Sequence, residues 1–164
     1  MKRVVSGFVA FPSSRPSLVE TIEGAITSIN SGGTVSLESW QAVSRAGRVV
    51  IANICNAIAQ CQLFMCDLTE LNSNVLFELG YAIAKYKRIW IVLDQTVEKA
   101  TDNYKAFKVL TTIGYAGYSS SRDIEPPRDC RRPNSLRGWD HGKTKQVLPR
   151  GTGTSGTDGV RVRA

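Results

Sequence analysis

The stretch of sequence that decides the fold is residues 64–93, FMCDLTELNSNVLFELGYAIAKYKRIWIVL. It begins with a short apolar run that ends at Asp67 and closes with a longer apolar run at residues 88–93. Short, continuous apolar runs are typical of strands buried in a parallel sheet. Between these runs, residues 72–84 have a helical apolar pattern in which Glu78 is the only charged side chain. The stretch therefore predicts a strand, a helix and a second strand, the unit from which parallel sheets are built.

The remainder of the first 125 residues repeats this alternation. Apolar runs predict strands at residues 3–10, 34–37, 62–66, 88–93 and 112–118. Helical patterns fill the intervals at residues 17–30, 47–60, 72–84 and 97–110. Ser17 lies three residues before Glu20, the spacing of a capping box, and it predicts a capped start for the first helix. The expected architecture is a three-layer α/β fold with a central parallel sheet of about five strands.

Parallel sheets of this kind bind ligands beyond the carboxyl ends of their strands. The loops that follow Ala10, Cys66 and Leu93 are therefore the candidate site loops. They place a group of polar residues at the predicted rim of the sheet: Ser13, Ser14, Arg15, Asp67, Asn72 and Asn74.

The net charge of +7 is concentrated at the C-terminal end of the chain. Residues 1–125 hold 12 Lys and Arg against 11 Asp and Glu, whereas residues 126–164 hold 9 against 3. We therefore expect one nearly neutral domain at 1–125 and a basic, disordered tail rich in Arg, Gly and Pro at 126–164. A basic tail attracts polyanions without selecting a sequence, so the domain itself gives no sign of specific nucleic-acid binding. The abrupt change of composition suggests a truncated or frameshifted gene end.

The numbers and positions of cysteine and histidine residues exclude several kinds of catalytic site. Cys55, Cys61 and Cys66 lie among apolar residues without a C-x-x-C pair, which predicts buried free thiols, a reducing and therefore cytoplasmic location, and no metal site. The only histidine is His141, in the predicted tail, so residues 1–125 hold no Ser-His or Cys-His nucleophilic pair. No apolar run is long enough to span a membrane, and we expect no secretion signal. Carboxylates remain as the main candidates for catalysis.

Glu78 is the carboxylate that needs an explanation. Neither Asn72, Ser73 nor Asn74 as N-cap would put Glu78 at the third helical position, so it is not the acid of a capping box. Two interpretations remain open. Glu78 either interacts with the helix dipole from a solvated face, or it is a buried carboxylate of a ligand site with a raised pKa.

The quoted stretch resembles the signature of the nucleoside 2-deoxyribosyltransferase-like and TIR-like superfamily. Members show an apolar strand ending in Asp, a loop with Asn, the pattern Asn-Val-x-x-Glu-Leu-Gly-x-Ala, and a basic residue before the next strand. GFVAFPSSRPSLVETIEGAI at residues 7–26 is similar to their first strand, loop and helix, and Trp40 followed by Gly47 fits many TIR-like relatives. The resemblance covers roughly residues 3–118 and implies a flavodoxin-like, TIR-like fold.

The resemblance also implies chemistry at an N-glycosidic bond, with Glu78 in the position of the catalytic glutamate. The first expectation is a hydrolase that cleaves a nucleotide such as NAD, in a defence response, with NAD as substrate and no cofactor. The second is a nucleoside 2-deoxyribosyltransferase, in which the glutamate forms a covalent glycosyl-enzyme. The third is a non-catalytic nucleotide sensor or TIR-type assembly module with a structural Glu78. Many TIR-like enzymes assemble to become active, so a homo-oligomer is a further expectation.

The other candidate residues receive substrate-binding roles, each beside a plainer one. Asn72 or Asn74 would hold the glutamate or a sugar hydroxyl, and Asp67 would bind ribose hydroxyls unless it caps the loop at its strand end. Phe11 and Trp40 would stack on a base unless they are core or rim aromatics. The polar residues Ser13, Ser14 and Arg15 would meet a phosphate, although the flanking prolines are equally typical of a plain turn.

Overall fold

A computed structural model describes residues 4–41 and 50–131 of the chain. The strands are β1 Val5–Ala10, β2 Val35–Ser39, β3 Leu63–Asp67, β4 Arg88–Asp94 and β5 Tyr115–Tyr118. The α-helices are α1 Pro16–Ser31, α2 Val50–Gln60, α3 Ser73–Ala84 and α4 Ala100–Ala106. Short 3₁₀ helices occupy Lys108–Thr112, Ser121–Asp123 and Arg128–Arg131. The predicted strand start at Arg3, the predicted helix residues 47–49 and tail residues 132–164, with His141, lie outside the described residues.

The five strands form one parallel sheet in the order β2-β1-β3-β4-β5. Strand β1 lies inside the sheet, with Gly7 opposite Leu37 of β2 on one side and opposite Leu63 of β3 on the other. The chain therefore leaves β1 in one direction to form β2 and returns in the other to form β3. This order is that of flavodoxin-like folds, and its switch point lies between β1 and β3. The predicted three-layer α/β fold is confirmed.

Each face of the sheet is covered by its own apolar core. Helix α1 packs on one face, where Val9, Ile22 and Leu63 are fully buried. Helices α2, α3 and α4 cover the opposite face, where Phe8 and Phe64 stack at 6.3 Å between ring centroids. Because strand side chains alternate between faces, neighbours in β1 contribute to different cores. Both faces of the inner strands are buried, which explains why the sequences of β3 and β4 are continuous apolar runs.

The start of α1 differs from the prediction. The helix begins at Pro16 with Arg15 as the N-cap residue, and no side chain caps it. Proline at the first helical position needs no hydrogen-bond acceptor and has a backbone angle already suited to a helix. Ser17 therefore lies inside the helix, and the capping-box prediction for Ser17 and Glu20 is wrong.

The helix predicted at residues 97–110 is also shorter than expected. Helix α4 ends at Ala106, and a separate 3₁₀ helix follows from Lys108 to Thr112. The hydroxyl of Tyr104 donates hydrogen bonds to the backbone oxygens of Leu110 at 2.6 Å and Ile113 at 3.1 Å. These bonds hold the following turn back against α4, which an uninterrupted helix would not allow.

The four cysteines are free thiols, and the expected burial holds for Cys61 and Cys66, whereas Cys55 is only half-buried. Cys130, which falls in the predicted tail, is buried in the core on the α1 side of the sheet. Within residues 4–41 and 50–131, no helix combines the length and the apolar character that crossing a membrane requires.

Gly80→Ala is expected to raise the free energy of unfolding by about 0.5–1 kcal/mol, measured by urea denaturation. Gly80 is an exposed residue of α3, and a Cβ atom added there would meet no atom within 4 Å. Gly33→Ala is the control with the opposite sign, because Gly33 has a φ of 64° in the left-handed region. A loss of stability in Gly80→Ala would contradict the open space seen beside that helix position.

Candidate active site

A cavity of about 360 Å³ opens at the carboxyl edge of the sheet, beside the switch point between β1 and β3. Its wall is formed by the loop after β1, the residue after β2, helix α2 and the first turns of α3. The residues that line it are Phe11, Pro12, Ser13, Trp40, Ile51, Ile54, Asn72, Asn74, Val75, Phe77 and Glu78. The structure thus brings together six of the predicted site residues: Phe11, Ser13, Trp40, Asn72, Asn74 and Glu78.

The start of α3 fixes the position of Glu78. Asn72 is the N-cap, and its Oδ1 accepts hydrogen bonds from the backbone N–H groups of Asn74 at 3.0 Å and Val75 at 3.3 Å. Val75 therefore occupies the third helical position, and Glu78 lies one turn further on, as the cap spacing predicted. Side chains three and four residues apart share a helix face, so Glu78 lies beside Asn74 and Val75 at the cavity wall. The Oδ1 of Asn72 is occupied in capping, which leaves its amide N–H₂ group to serve as a donor to a ligand.

The Glu78 carboxylate is buried and without a partner in the described part of the chain. Only 8% of the residue is exposed, and no side chain or backbone group among residues 4–41 and 50–131 hydrogen-bonds to it or forms an ion pair with it. Burial disfavours the charged form and raises its pKa to about 7. A largely buried carboxylate that faces an open cavity interacts strongly with any positive charge that develops on a bound ligand.

The aromatic and aliphatic walls surround the carboxylate. The rings of Phe11 and Trp40 lie 6.3 Å apart at an angle of 57°. The indole Nε1 of Trp40 is buried, with no acceptor for its hydrogen among the residues that the structure describes. Phe11 is 3% exposed and belongs to the core on the α1 side, and Trp40 packs against both cores. Both rings are thus core or rim aromatics that also line the cavity, and their stacking on a base stays a prediction.

Sequence reasoning missed the apolar residues at the mouth of the cavity. Ile51 of α2 is 53% exposed and Phe77 of α3 is 51% exposed, although both are large apolar side chains. The signal for Phe77 was its position beside, and not on, the buried stripe formed by Val75, Leu79 and Ala82. A large apolar residue off the buried stripe of a helix is a candidate for ligand contact.

Ser14 and Arg15 do not line the cavity. The hydroxyl of Ser14 donates to Oε2 of Glu70 at 3.0 Å, and Nη1 of Arg15 donates to Oε1 of the same carboxylate at 3.3 Å. Nη2 of Arg15 donates to Oδ2 of Asp94 at 3.0 Å. Two of the three predicted phosphate ligands are thus bound to carboxylates of the chain, on the rim next to Ser13, the third.

Asp67 also lies away from the cavity, at the end of β3. Its carboxylate accepts hydrogen bonds from the backbone N–H of Thr69 at 3.1 Å, the hydroxyl of Thr69 at 3.0 Å and the hydroxyl of Tyr118 at 2.8 Å. Burial raises the pKa of Asp67 to about 6, although the three hydrogen bonds act in the other direction. This geometry is that of a strand-end loop cap which also fastens β3 to β5.

Tyr118→Phe is expected to lower the free energy of unfolding by about 1–2 kcal/mol, because it leaves the buried Asp67 carboxylate without one of its donors. Tyr115→Phe on the same strand is the matched control, since Tyr115 is exposed, and its effect should stay within about 0.5 kcal/mol. Equal effects of the two substitutions in thermal and urea denaturation would show that the bond to Asp67 does not stabilise the fold.

No protein-family model matches the chain, and no curated protein matches it. Among solved structures, the CMP N-glycosidase BcmB of Clostridium botulinum matches with a TM-score of 0.51 and 19% identity, over 71% of this chain and 92% of that chain. The TIR domains of the activated Roq1 resistosome, which recognises the pathogen effector XopQ, match with a TM-score of 0.49 and 10% identity, over 65% and 73%. At this identity the first similarity shows a shared fold, the three-layer α/β architecture with one parallel sheet described above.

Proposed function

We propose that this protein cleaves the N-glycosidic bond of a nucleotide such as NAD, with Glu78 as nucleophile or as stabiliser of the sugar cation. The observation that carries the proposal is the buried Glu78 carboxylate, which faces a cavity at the switch point without a partner among the described residues. A protein of the same fold is an N-glycosidase that acts on CMP, so this fold can support such chemistry.

The geometry suits the charge that this reaction develops. As the bond between the sugar C1′ and the base nitrogen breaks, its electron pair leaves with the base and the sugar becomes an oxocarbenium-like cation. Glu78 in its ionised form would stabilise that cation, or its oxygen would bond to C1′ as an ester. Water would then attack C1′ and form the hydroxyl of the released sugar, and its second proton would pass to the departed base or to solvent. Where an ester has formed, the bond between C1′ and the Glu78 oxygen breaks and its electron pair restores the carboxylate. The apolar walls strengthen the attraction between the carboxylate and the cation by excluding water.

The remaining residues supply binding in this proposal. Phe11 and Trp40 would hold the base, with Phe77 at the mouth of the cavity closing over its exposed face. The amides of Asn72 and Asn74 would bind sugar hydroxyls, and Ser13 would approach a phosphate together with Ser14 and Arg15. Asp67 would act on ribose only through the loop that it caps, because its own oxygens are engaged by Thr69 and Tyr118.

The test is a product analysis with the full chain. The protein is incubated with NAD, with nucleoside 5′-monophosphates and with deoxynucleosides, each with and without a second free base, and released and exchanged bases are separated by chromatography. Free base from a nucleotide is the expected result. Exchange of bases between deoxynucleosides would show that the reaction is sugar transfer and not hydrolysis. Binding of nucleotide without any turnover would favour a sensor or an assembly module.

A further inference from the structure

The proposed function assigns no role to the contact between Glu70 and the loop after β1. Glu70 lies in the loop between β3 and α3, two residues before Asn72 of the cavity wall, and its carboxylate is bound by Ser14 and Arg15. The two loops thus meet across the switch point through one carboxylate, one hydroxyl and one guanidinium. A hydroxyl and a guanidinium on the same carboxylate form the donor set that also binds a phosphate.

The two acidic partners of Arg15 differ in how firmly they are held. The side chain of Asp94 is 11% exposed, and its Oδ1 accepts hydrogen bonds from the backbone N–H of Thr96 at 2.9 Å and its hydroxyl at 2.6 Å. Burial would raise the pKa of Asp94, but the bonds from Thr96 and the ion pair with Arg15 outweigh it and hold that pKa below its usual range. Asp94 is therefore a fixed partner that orients the guanidinium.

Glu70 is the weakly held partner. Its side chain is 32% exposed, its distance to Nη1 of Arg15 is 3.3 Å, and its donors among the described residues are Ser14 and Arg15 alone. An ion pair with this exposure contributes little to stability, since water solvates both charges when the pair opens. A ligand phosphate, with more charge than a carboxylate, can replace Glu70 on the same donors while Asp94 keeps Arg15 in place.

We infer that Glu70 is an internal anion which occupies the Ser14 and Arg15 donors until a substrate phosphate displaces it, and that it thereby sets how strongly the site prefers phosphorylated over unphosphorylated nucleosides. The inference rests on the proposed function for the nature of the ligand. Displacement also releases the β3–α3 loop from the β1–α1 loop, next to Asn72 and Ser13 of the cavity. Phosphate binding at the rim is in this way coupled to the wall that holds the base and sugar.

Inorganic phosphate is the first probe, because its binding depends on no base and on no turnover. Glu70→Gln keeps the size of the side chain and removes the competing charge. Calorimetry or ³¹P NMR at low ionic strength should find phosphate bound roughly threefold to tenfold more tightly by Glu70→Gln than by the wild type. Glu20→Gln, which removes the same charge from an exposed position of α1, should match the wild type. Unchanged or weaker phosphate binding by Glu70→Gln would overturn the inference.

CMP and cytidine are the second pair of probes. Glu70→Gln should tighten CMP binding by the same factor and leave cytidine binding unchanged. Arg15→Gln should remove the advantage of CMP, and Ser14→Ala should reduce it if loss of the Asp94 pair unfolds the Arg15 variant. An equal gain for cytidine would mean that Glu70 acts on the loop and not on phosphate, which also overturns the inference. The expected phosphate response without any base release would leave the inference standing while the proposed function fails.

Discussion

Glu78→Gln is expected to lower the rate of base release by roughly 10²–10³-fold, the size of the effect when one preorganised electrostatic group is removed from an active site. The substitution preserves the shape of the side chain but leaves a neutral amide, which neither bonds to C1′ nor balances the charge of the sugar cation. The wild-type kcat/KM should rise with pH and level off above about 7, because only the ionised carboxylate acts and its pKa lies near 7. Steady-state rates across pH 5 to 9 measure both effects.

The control for this loss is a glutamate on an exposed helix face. Glu20 lies on an exposed face of α1, and Glu20→Gln should keep the rate and the pH profile of the wild type. Substrate binding by Glu78→Gln should change little, since the group acts mainly on the charge of the transition state. A Glu78→Gln variant with full turnover would remove Glu78 from the chemistry, whatever its effect on stability.

The same substitution is expected to change how stability depends on pH. The pKa of Glu78 is raised from 4.5 to about 7 by burial, so the folded protein binds this proton more tightly than the unfolded chain does. The stabilisation is complete below about pH 4.5 and is lost as pH rises through 7, at a total of about 3 kcal/mol. Glu78→Gln removes this dependence. The variant should therefore gain stability relative to the wild type between pH 5 and 8.

Urea denaturation at several pH values tests this expectation. Asp67 has a pKa raised to about 6 and produces a slope of the same sign, so the wild-type curve alone does not isolate Glu78. The difference in the free energy of unfolding between the wild type and Glu78→Gln isolates Glu78, because Asp67 is common to both proteins. The plot of unfolding free energy against pH for Glu20→Gln should run parallel to that of the wild type. If the plot for Glu78→Gln also runs parallel to that of the wild type, the Glu78 carboxylate is hydrated in the folded protein.

Most of the fold and the centre of the site could be predicted because their signals are local. Residues 64–93 carry two buried strands and a helix whose polar exception is Glu78, and the absence of a capping position for that residue is a matter of spacing alone. The ends of strands were harder, because pairing decides them. β2 extends to Ser39, two residues beyond the prediction, since Ser39 lies opposite Val9 of β1.

The partners of the polar rim could not be predicted from local sequence. Arg15 meets Glu70 at a separation of 55 residues and Asp94 at a separation of 79, so nothing near Arg15 shows that its charge is already balanced. The early end of the helix predicted at residues 97–110 has a related cause. The hydroxyl of Tyr104 donates to the backbone oxygen of Leu110, and because a backbone oxygen is present at every residue, no side chain in the sequence indicates this partner. Asp67 was assigned two roles for the same reason, because its bond to Tyr118 spans 51 residues.

The position of β1 inside the sheet has a consequence for how the protein folds. The pairing of β1 with β3 includes contacts such as that between Ser6 and Gln62, which lie 56 residues apart in the sequence. Bringing such distant segments together costs loop entropy before any contact compensates for it, and pairings of this kind slow folding. The cavity lies beside this pairing. The proposed base release should therefore return during refolding later than α2 and α3, and a fragment that contains Glu78 but lacks β1 and its loop would lack one wall of the cavity.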